Sequence, residues 1–228
     1  MQKTPYTTQE FDTPAPVRAV VGIPAGRIRF VAAERTDTVV EVRPADPARS
    51  RDVKAAGEIT AAYGDGVLRI EAAEAAHALL GHTGSVEVTV LLPAGSGVEA
   101  QAGAAEFRGA GRLGDVSFTG GCRSVRIEEA ASARLNVHEG EVHVGRLDGP
   151  AEISVQQGSI QIGEAVRGTL RLDVRHGDIT IGAAPGVSAR LDARSDHGRI
   201  HNSLRNSGTC DLDLRATTAC GDITARSL

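Results

Sequence analysis

The sequence predicts an all-β protein, built as a β-solenoid with an N-terminal β-rich cap and at most one or two short helices. A short pattern of glycine, a polar residue and a β-branched residue recurs, beginning at Gly140, Gly158, Gly177, Gly198 and Gly221. A second alternating segment precedes each of these glycines, as in Arg134-Leu-Asn-Val. Two strands per unit at a period of about 20 residues are typical of a solenoid, because each coil buries its apolar row only by stacking on its neighbours.

The alternation within each unit predicts which side chains face the core. The inward positions are Leu135, Ile153, Leu172, Leu191 and Leu214 on the first strand, and Val142, Ile160, Ile179, Ile200 and Ile223 on the second. The repeat glycines are expected in turns that need positive φ or a close approach of the next coil, where a Cβ would clash. They do not indicate a phosphate loop, since none is followed by Lys-Ser or Lys-Thr.

The N-terminal segments are less regular. Residues 1–16 are polar and contain proline, which predicts a leader that is loosely ordered or lies along the domain edge. Residues 17–97 form the predicted cap, with strands near 17–21, 27–32, 38–43, 59–63, 67–71 and 85–92. Asp65-Gly66 predicts a hairpin turn between two of these strands.

Two stretches of the cap permit helices. Asp46 is suited to an N-cap, Pro47 to the first helical position and Gly57 to the end, although an irregular loop is an equal alternative. Residues 72–80 are rich in alanine and are either a short helix or a mobile excursion. Pro93 to Gly97 marks the junction, after which residues 98–228 form the predicted solenoid.

Composition narrows the function classes. The net charge is −4 and basic runs are short, which disfavours nucleic acid as a partner. Aromatic residues make up 3% of the chain, so an aliphatic core is expected. Three scattered cysteines predict free thiols rather than a disulfide framework. No apolar stretch approaches the ~18 residues of a membrane helix, and no signal segment is visible, so we expect a cytoplasmic protein without direct membrane insertion.

The repeats also carry a family resemblance. Val88-Thr-Val-Leu-Leu-Pro-Ala-Gly95 leads into them, Gly-Asp-Ile-Thr occurs at Gly177 and Gly221, and Gly114-Asp-Val-Ser is an earlier copy. This pattern resembles the bacterial β-strand-repeat domains named as putative adhesins, a family otherwise described as a domain of unknown function. The resemblance implies the β-repeat architecture and brings no catalytic residues. Some relatives of that kind are cell-envelope or stress-linked proteins.

The residues that precede the repeat glycines form a column that could include a metal site. The residues before the repeat glycines are Glu139, Gln157, His176, His197 and Cys220. Neighbouring coils stand ~4.8 Å apart, so His176, His197 and Cys220, with or without Asp196, could share a divalent metal. The alternative, which we prefer, is a row of exposed turn residues with no metal, because longer turns before His197 and Cys220 would disturb the register. We expect no cofactor.

The sequence lacks an enzymatic constellation. A polysaccharide-cleaving β-helix would need clustered carboxylates and aromatic platforms, which the outward positions do not supply. We therefore predict a non-enzymatic scaffold or protein-interaction module, with an envelope-associated, adhesin-like or stress-response element acting through a partner as the alternative. The last coil is expected to expose an interaction edge that binds a protein strand or a second copy in a homodimer. That edge comprises Asp222, Ile223, Thr224 and Arg226.

Overall fold

The structure is a computed structural model that describes residues 7–72 and 84–228. Within these ranges the protein is mainly β, with sixteen strands in one large sheet that is not closed, and one helix. The predicted helix or excursion at 72–80 lies outside the described residues, apart from Ala72 at the end of a strand. The same is true of residues 1–6 of the predicted leader.

The N-terminal part contains six strands and the helix. Their bounds are β1 Thr7–Asp12, β2 Arg18–Ala33, β3 Asp37–Pro44, α1 Ser50–Gly57, β4 Ile59–Gly64, β5 Val67–Ala72 and β6 Val86–Pro93. The repeats supply the other ten strands. These are β7 Gly97–Glu139, β8 Glu141–Leu147, β9 Ala151–Gln157, β10 Ile160–Ala165, β11 Gly168–His176, β12 Ile179–Ala183, β13 Ala189–His197, β14 Ile200–Ser203, β15 Leu212–Cys220 and β16 Ile223–Ser227.

The repeats form two ladders of parallel strands. The first ladder runs from β7 through β9, β11 and β15 to β13, and the second runs from β7 through β8, β10, β12 and β16 to β14. In the second ladder Val142, Ile160 and Ile179 are consecutive register partners. Equivalent repeat positions therefore lie side by side, as the sequence pattern predicts.

Parallel pairing extends into the segment predicted as the cap. Strand β2 pairs in parallel with β7 over most of its length, and it also pairs in parallel with β5 and β6. The parallel stack therefore does not begin near Val98, where the predicted solenoid begins. Among the described strands the antiparallel pairs are β1 with β3, β3 with β6 and β4 with β5, all at the N-terminal end of the stack.

The C-terminal strands do not follow chain order. Strand β16 lies between β12 and β14, and β15 lies between β11 and β13. The unit of residues 189–203 is thus outermost, and the final unit of residues 212–227 is inserted beneath it. A similar inversion occurs at the other end, where β2 separates β6 from β7.

The inward rows pack into one apolar core. Eight of the ten predicted inward side chains are buried, and the exceptions are Leu191, which is half-buried, and Ile200, which is 46% exposed. Both exceptions belong to the outermost unit, which has a neighbour on one side only. The core is not purely aliphatic, because the rings of Phe30, Phe107 and Phe118 lie in a row, tilted relative to one another, with centroids 5.8 and 5.6 Å apart.

The local predictions in the N-terminal part are partly corrected. The hairpin of β4 and β5 is confirmed, with positive φ at Asp65 and Gly66. The helix begins at Ser50 rather than after Asp46, because Asp46 accepts a hydrogen bond from Ala48 N–H in a preceding turn. Residues Thr7–Asp12 are not loosely ordered but form β1, paired with β3 along the domain edge.

Candidate interaction surfaces

The repeat glycines form a column at the turn that joins the two ladders. Four of the five, Gly140, Gly158, Gly177 and Gly221, have positive φ. A Cβ on Gly177 would lie 2.6 Å from the carbonyl carbon of Gly158, and Gly177 N–H donates to Cys220 C=O at 2.8 Å. Gly198 lacks positive φ, yet a Cβ there would collide with the Gly221 carbonyl. The glycines therefore permit backbone contact between successive units.

The aspartate that follows the glycine in Gly-Asp-Ile-Thr also has a structural role. Asp178 Oδ1 accepts the N–H of Asp222 at 2.8 Å, and Asp222 Oδ1 accepts the N–H of Arg199 at 2.8 Å. Each carboxylate thus binds a backbone donor in the next turn of the stack. Charge-assisted bonds of this kind fix the turn geometry.

The column of candidate metal ligands has an unexpected order. His176 and His197 are both register partners of Cys220, so the thiol lies between the two imidazoles. The expected disturbance of register at these turns is therefore wrong. All three side chains are exposed, and among the described residues no group of three or more His, Cys, Asp or Glu side chains, Asp196 included, is placed to hold a metal ion.

The predicted edge at the C-terminus is not an edge. Ile179 N–H donates to Asp222 C=O on one side of this segment, and Ile223 N–H donates to Arg199 C=O on the other, each at 2.9 Å. Ile223 is fully buried, Thr224 is half-buried, and Asp222 and Arg226 are exposed. The prediction of unpaired backbone groups at these four residues is wrong because the outermost unit, 189–203, covers them.

A polar groove of about 760 Å³ crosses the outer side of the first ladder. It is lined by residues of β2, β7, β9 and β11, each of which pairs with the next, so consecutive strands contribute to it. Both signs of charge are represented, in Arg18, Glu99, Asp115, Arg134, Glu152 and Arg171. We call this surface the polar groove.

Ion pairs join charged residues across neighbouring strands. Arg18 and Glu99, both in the polar groove, lie 2.6 Å apart, and Arg134 and Glu152 lie 3.9 Å apart. Sequence reasoning missed these residues. The sequence does contain a signal for such ion pairs. Arg134 precedes Glu152, and Arg146 precedes Glu164, by 18 residues, which is the spacing between Gly140 and Gly158.

A second groove of about 740 Å³ lies beside the turn between the ladders. Its charged lining includes Arg27, Glu87, Glu106 and Arg123, and Cys122 is part of its wall. Burial raises the pKa of the Cys122 thiol, which disfavours the thiolate form that acts as a nucleophile. The three cysteines are free, as predicted.

Asp37 is a carboxyl group with a clear pKa shift, and it lies in neither groove. The guanidinium of Arg35 donates to both of its oxygens, at 2.9 and 2.6 Å, and this hydrogen bonding lowers the pKa of Asp37. A general acid requires its pKa to be shifted in the opposite direction.

No helix in the described ranges is long and apolar enough to span a membrane.

Comparison with known proteins yields structural neighbours only. No family model and no curated protein matches the sequence. A "putative adhesin" from Bacteroides fragilis has 15% identity and a TM-score of 0.46, with 99% of this chain and 98% of that chain covered. A "putative cell adhesion protein" from Clostridium sporogenes has 11% identity and a TM-score of 0.40, with 98% and 100% covered.

A third neighbour carries a different description. It is a "putative lipid binding protein" from Parabacteroides distasonis, with 10% identity, a TM-score of 0.48, and 98% of this chain and 96% of that chain covered. The two adhesin descriptions name the same kind of protein as the family that the repeats resemble.

Proposed function

We propose that the protein is a non-enzymatic interaction scaffold, in which the two ladders are the walls of a β-solenoid and the polar groove binds a protein partner. The solenoid is supported by the turns at the repeat glycines, which connect one ladder to the other, and by the single core that both ladders share. A rigid stack of this type offers an extended surface whose side chains are held at fixed spacings.

The polar groove is the observation that carries the proposal. Its arginines and carboxylates alternate across strands that are fixed by backbone hydrogen bonding, so the charge pattern is preorganised. Complementary charge patterns mainly confer specificity and fast association between proteins. Arginine is also enriched at protein interfaces. A protein partner with a matching charged surface fits this groove better than an apolar small molecule does.

The test is a pull-down with matched variants, followed by a binding measurement with the purified partner. Arg171→Glu reverses a charge in the polar groove, and Arg175→Glu makes the same change on the same strand outside it. We expect wild type and Arg175→Glu to retain one partner at fixed stoichiometry and Arg171→Glu to lose at least about tenfold in affinity. Equal binding by all three proteins would contradict the groove assignment, and turnover of a polysaccharide or peptide would contradict the non-enzymatic role.

A further inference from the structure

Strand β13 presents an open edge at the end of the first ladder. It pairs with β15 on one side, and no other strand in the described ranges pairs with it on the opposite side. Leu212 N–H donates to Ser188 C=O at 3.2 Å, so the alternation of backbone groups directs those of Leu191, Ala193 and Ser195 outward. Such a row of free donors and acceptors is a template for another strand.

The loop that follows β14 covers only the beginning of this row. Ala189 N–H donates to Arg205 C=O at 3.0 Å, which satisfies the first outward position. The apolar layer beside the edge is also incompletely covered, since Leu191 is half-buried and Ile200 on β14 is 46% exposed. An additional layer on this end would bury apolar surface as well as satisfy backbone groups.

The exposed arginines and aspartates of β13 alternate in sign along the strand. They are Arg190, Asp192, Arg194 and Asp196. A parallel, in-register copy of β13 would place like charges opposite each other, which is destabilising. An antiparallel copy centred on Ala193 places Arg190 opposite Asp196 and Asp192 opposite Arg194, and two-fold symmetry repeats both pairs.

The register of this pairing is also specified by the charges. Moving the centre to Leu191 keeps only the Arg190–Asp192 pair and its symmetry mate, and moving it to Ser195 keeps only the Arg194–Asp196 pair and its mate. Centring on Ala193 uses all four charges and the full length of the strand. It also makes Ala193 a hydrogen-bonded position, so the charged residues occupy the non-hydrogen-bonded positions, where side chains approach most closely.

We infer that two copies of this chain form a two-fold dimer by antiparallel pairing of β13, centred on Ala193. Closed two-fold dimers use the same patch on both subunits, which the self-complementary charge pattern of β13 permits. The ion pairs now present, Arg194 with Asp196 at 3.2 Å and Arg190 with Asp213 at 3.0 Å, involve exposed arginines and are readily exchanged. This inference goes beyond the proposed function and concerns a surface separate from the polar groove, so either can fail alone.

The test uses reversed charges in sedimentation velocity over a wide concentration series. Asp192→Arg creates two Arg–Arg contacts in the homodimer, and Arg194→Asp creates two Asp–Asp contacts. We expect each single variant to raise the dimer Kd at least about tenfold. Mixing the two variants should produce a heterodimer, because arginines on one chain then face aspartates on the other. The double variant should regain the wild-type Kd for self-association.

Strand β11 provides matched controls for this test. Asp173→Arg and Arg175→Asp make the same changes on β11, which has neighbours on both sides, and should leave the dimer intact. Circular dichroism melting shows whether each variant is folded. A wild type that remains monomeric at the highest concentration would overturn the inference. A dimer Kd that is unchanged by Asp192→Arg would also overturn it. The same holds if the two folded single variants stay monomeric when mixed, or if the wild type forms head-to-tail oligomers.

Discussion

At the scale of single residues, the repeat glycines and aspartates are structural rather than chemical. The glycines allow the backbones of successive units to touch, and the aspartates bind N–H groups of the next turn. A pattern such as Gly-Asp-Ile-Thr therefore specifies a turn at the glycine, a hydrogen-bond acceptor for the next turn at the aspartate, and an inward apolar side chain at the isoleucine. The pattern therefore recurs for structural reasons.

The glycine column leads to a stability prediction. Gly177→Ala forces a Cβ against the backbone of Gly158 at a positive φ of 141°. We expect the free energy of unfolding to fall by at least about 2 kcal/mol, because backbone strain and a backbone clash act together. Denaturant unfolding followed by circular dichroism measures this loss.

Gly22→Ala is the matched control for that experiment. Gly22 also lies within a strand, but its φ is not in the positive range and a Cβ there would meet no atom within 4 Å. The free energy of unfolding should change by less than about 1 kcal/mol. Similar losses in the two variants would show that the role assigned to the turn glycines is incorrect.

At the scale of elements, the position of a strand in its ladder sets the burial of its residues. Ile223 on β16 and Ile200 on β14 are register partners with the same side chain in the same row. Ile223 is fully buried because β12 and β14 flank its strand, whereas Ile200 is 46% exposed because β14 is outermost. Burial here depends on order in space and not on order in the chain.

This difference predicts unequal effects of one substitution. Ile223→Ala should lower the free energy of unfolding by about 2–5 kcal/mol, as expected for a buried isoleucine. Ile200→Ala should lower it by less than about 1 kcal/mol, because much of the side chain is already in contact with water. Chemical denaturation of both variants beside wild type gives the comparison. A larger loss for Ile200→Ala would place β14, not β16, in the interior.

Most of the strands could be predicted from the sequence, because alternation and turn residues are local signals, but β1 lies in the segment predicted as a leader. The predicted inward rows match the buried rows except at Leu191 and Ile200. The starting point of α1 was misplaced because Asp46 bonds within its own turn, a choice that is not visible from residue type. The aromatic row of Phe30, Phe107 and Phe118 was missed because its members lie in different units.

At the scale of the whole molecule, the order of the units could not be predicted from periodicity. The units 189–203 and 212–227 share the same spacing of glycine and isoleucine, so either fits locally beside β12. A weak signal exists in the inward rows. Ser195 and Asn202 occupy positions whose partners are Thr218 and Ala225, and this more polar row is suited to an end of the stack. The β13 edge depends on this order, whereas the polar groove is lined by strands that precede both units.

The insertion of the final unit beneath the unit that precedes it in the chain determines both the burial of Ile223 and the open edge at β13. Engineered disulfides test it directly, because two cysteines are bridged only when their Cα atoms are ~4.4–6.8 Å apart. His176 and Cys220 are register partners, whereas His176 and His197 are separated by the strand that carries Cys220. The two arrangements therefore predict opposite patterns of cross-linking.

The decisive measurement is peptide mapping by mass spectrometry after mild oxidation, in a Cys210→Ser background. We predict that His176→Cys forms a disulfide with Cys220. We also predict that His176→Cys and His197→Cys, combined with Cys220→Ser, form none, since two strand spacings amount to roughly 9.6 Å. The reverse pattern, with 176 bridged to 197 and not to 220, would contradict the inserted unit and with it the open edge at β13.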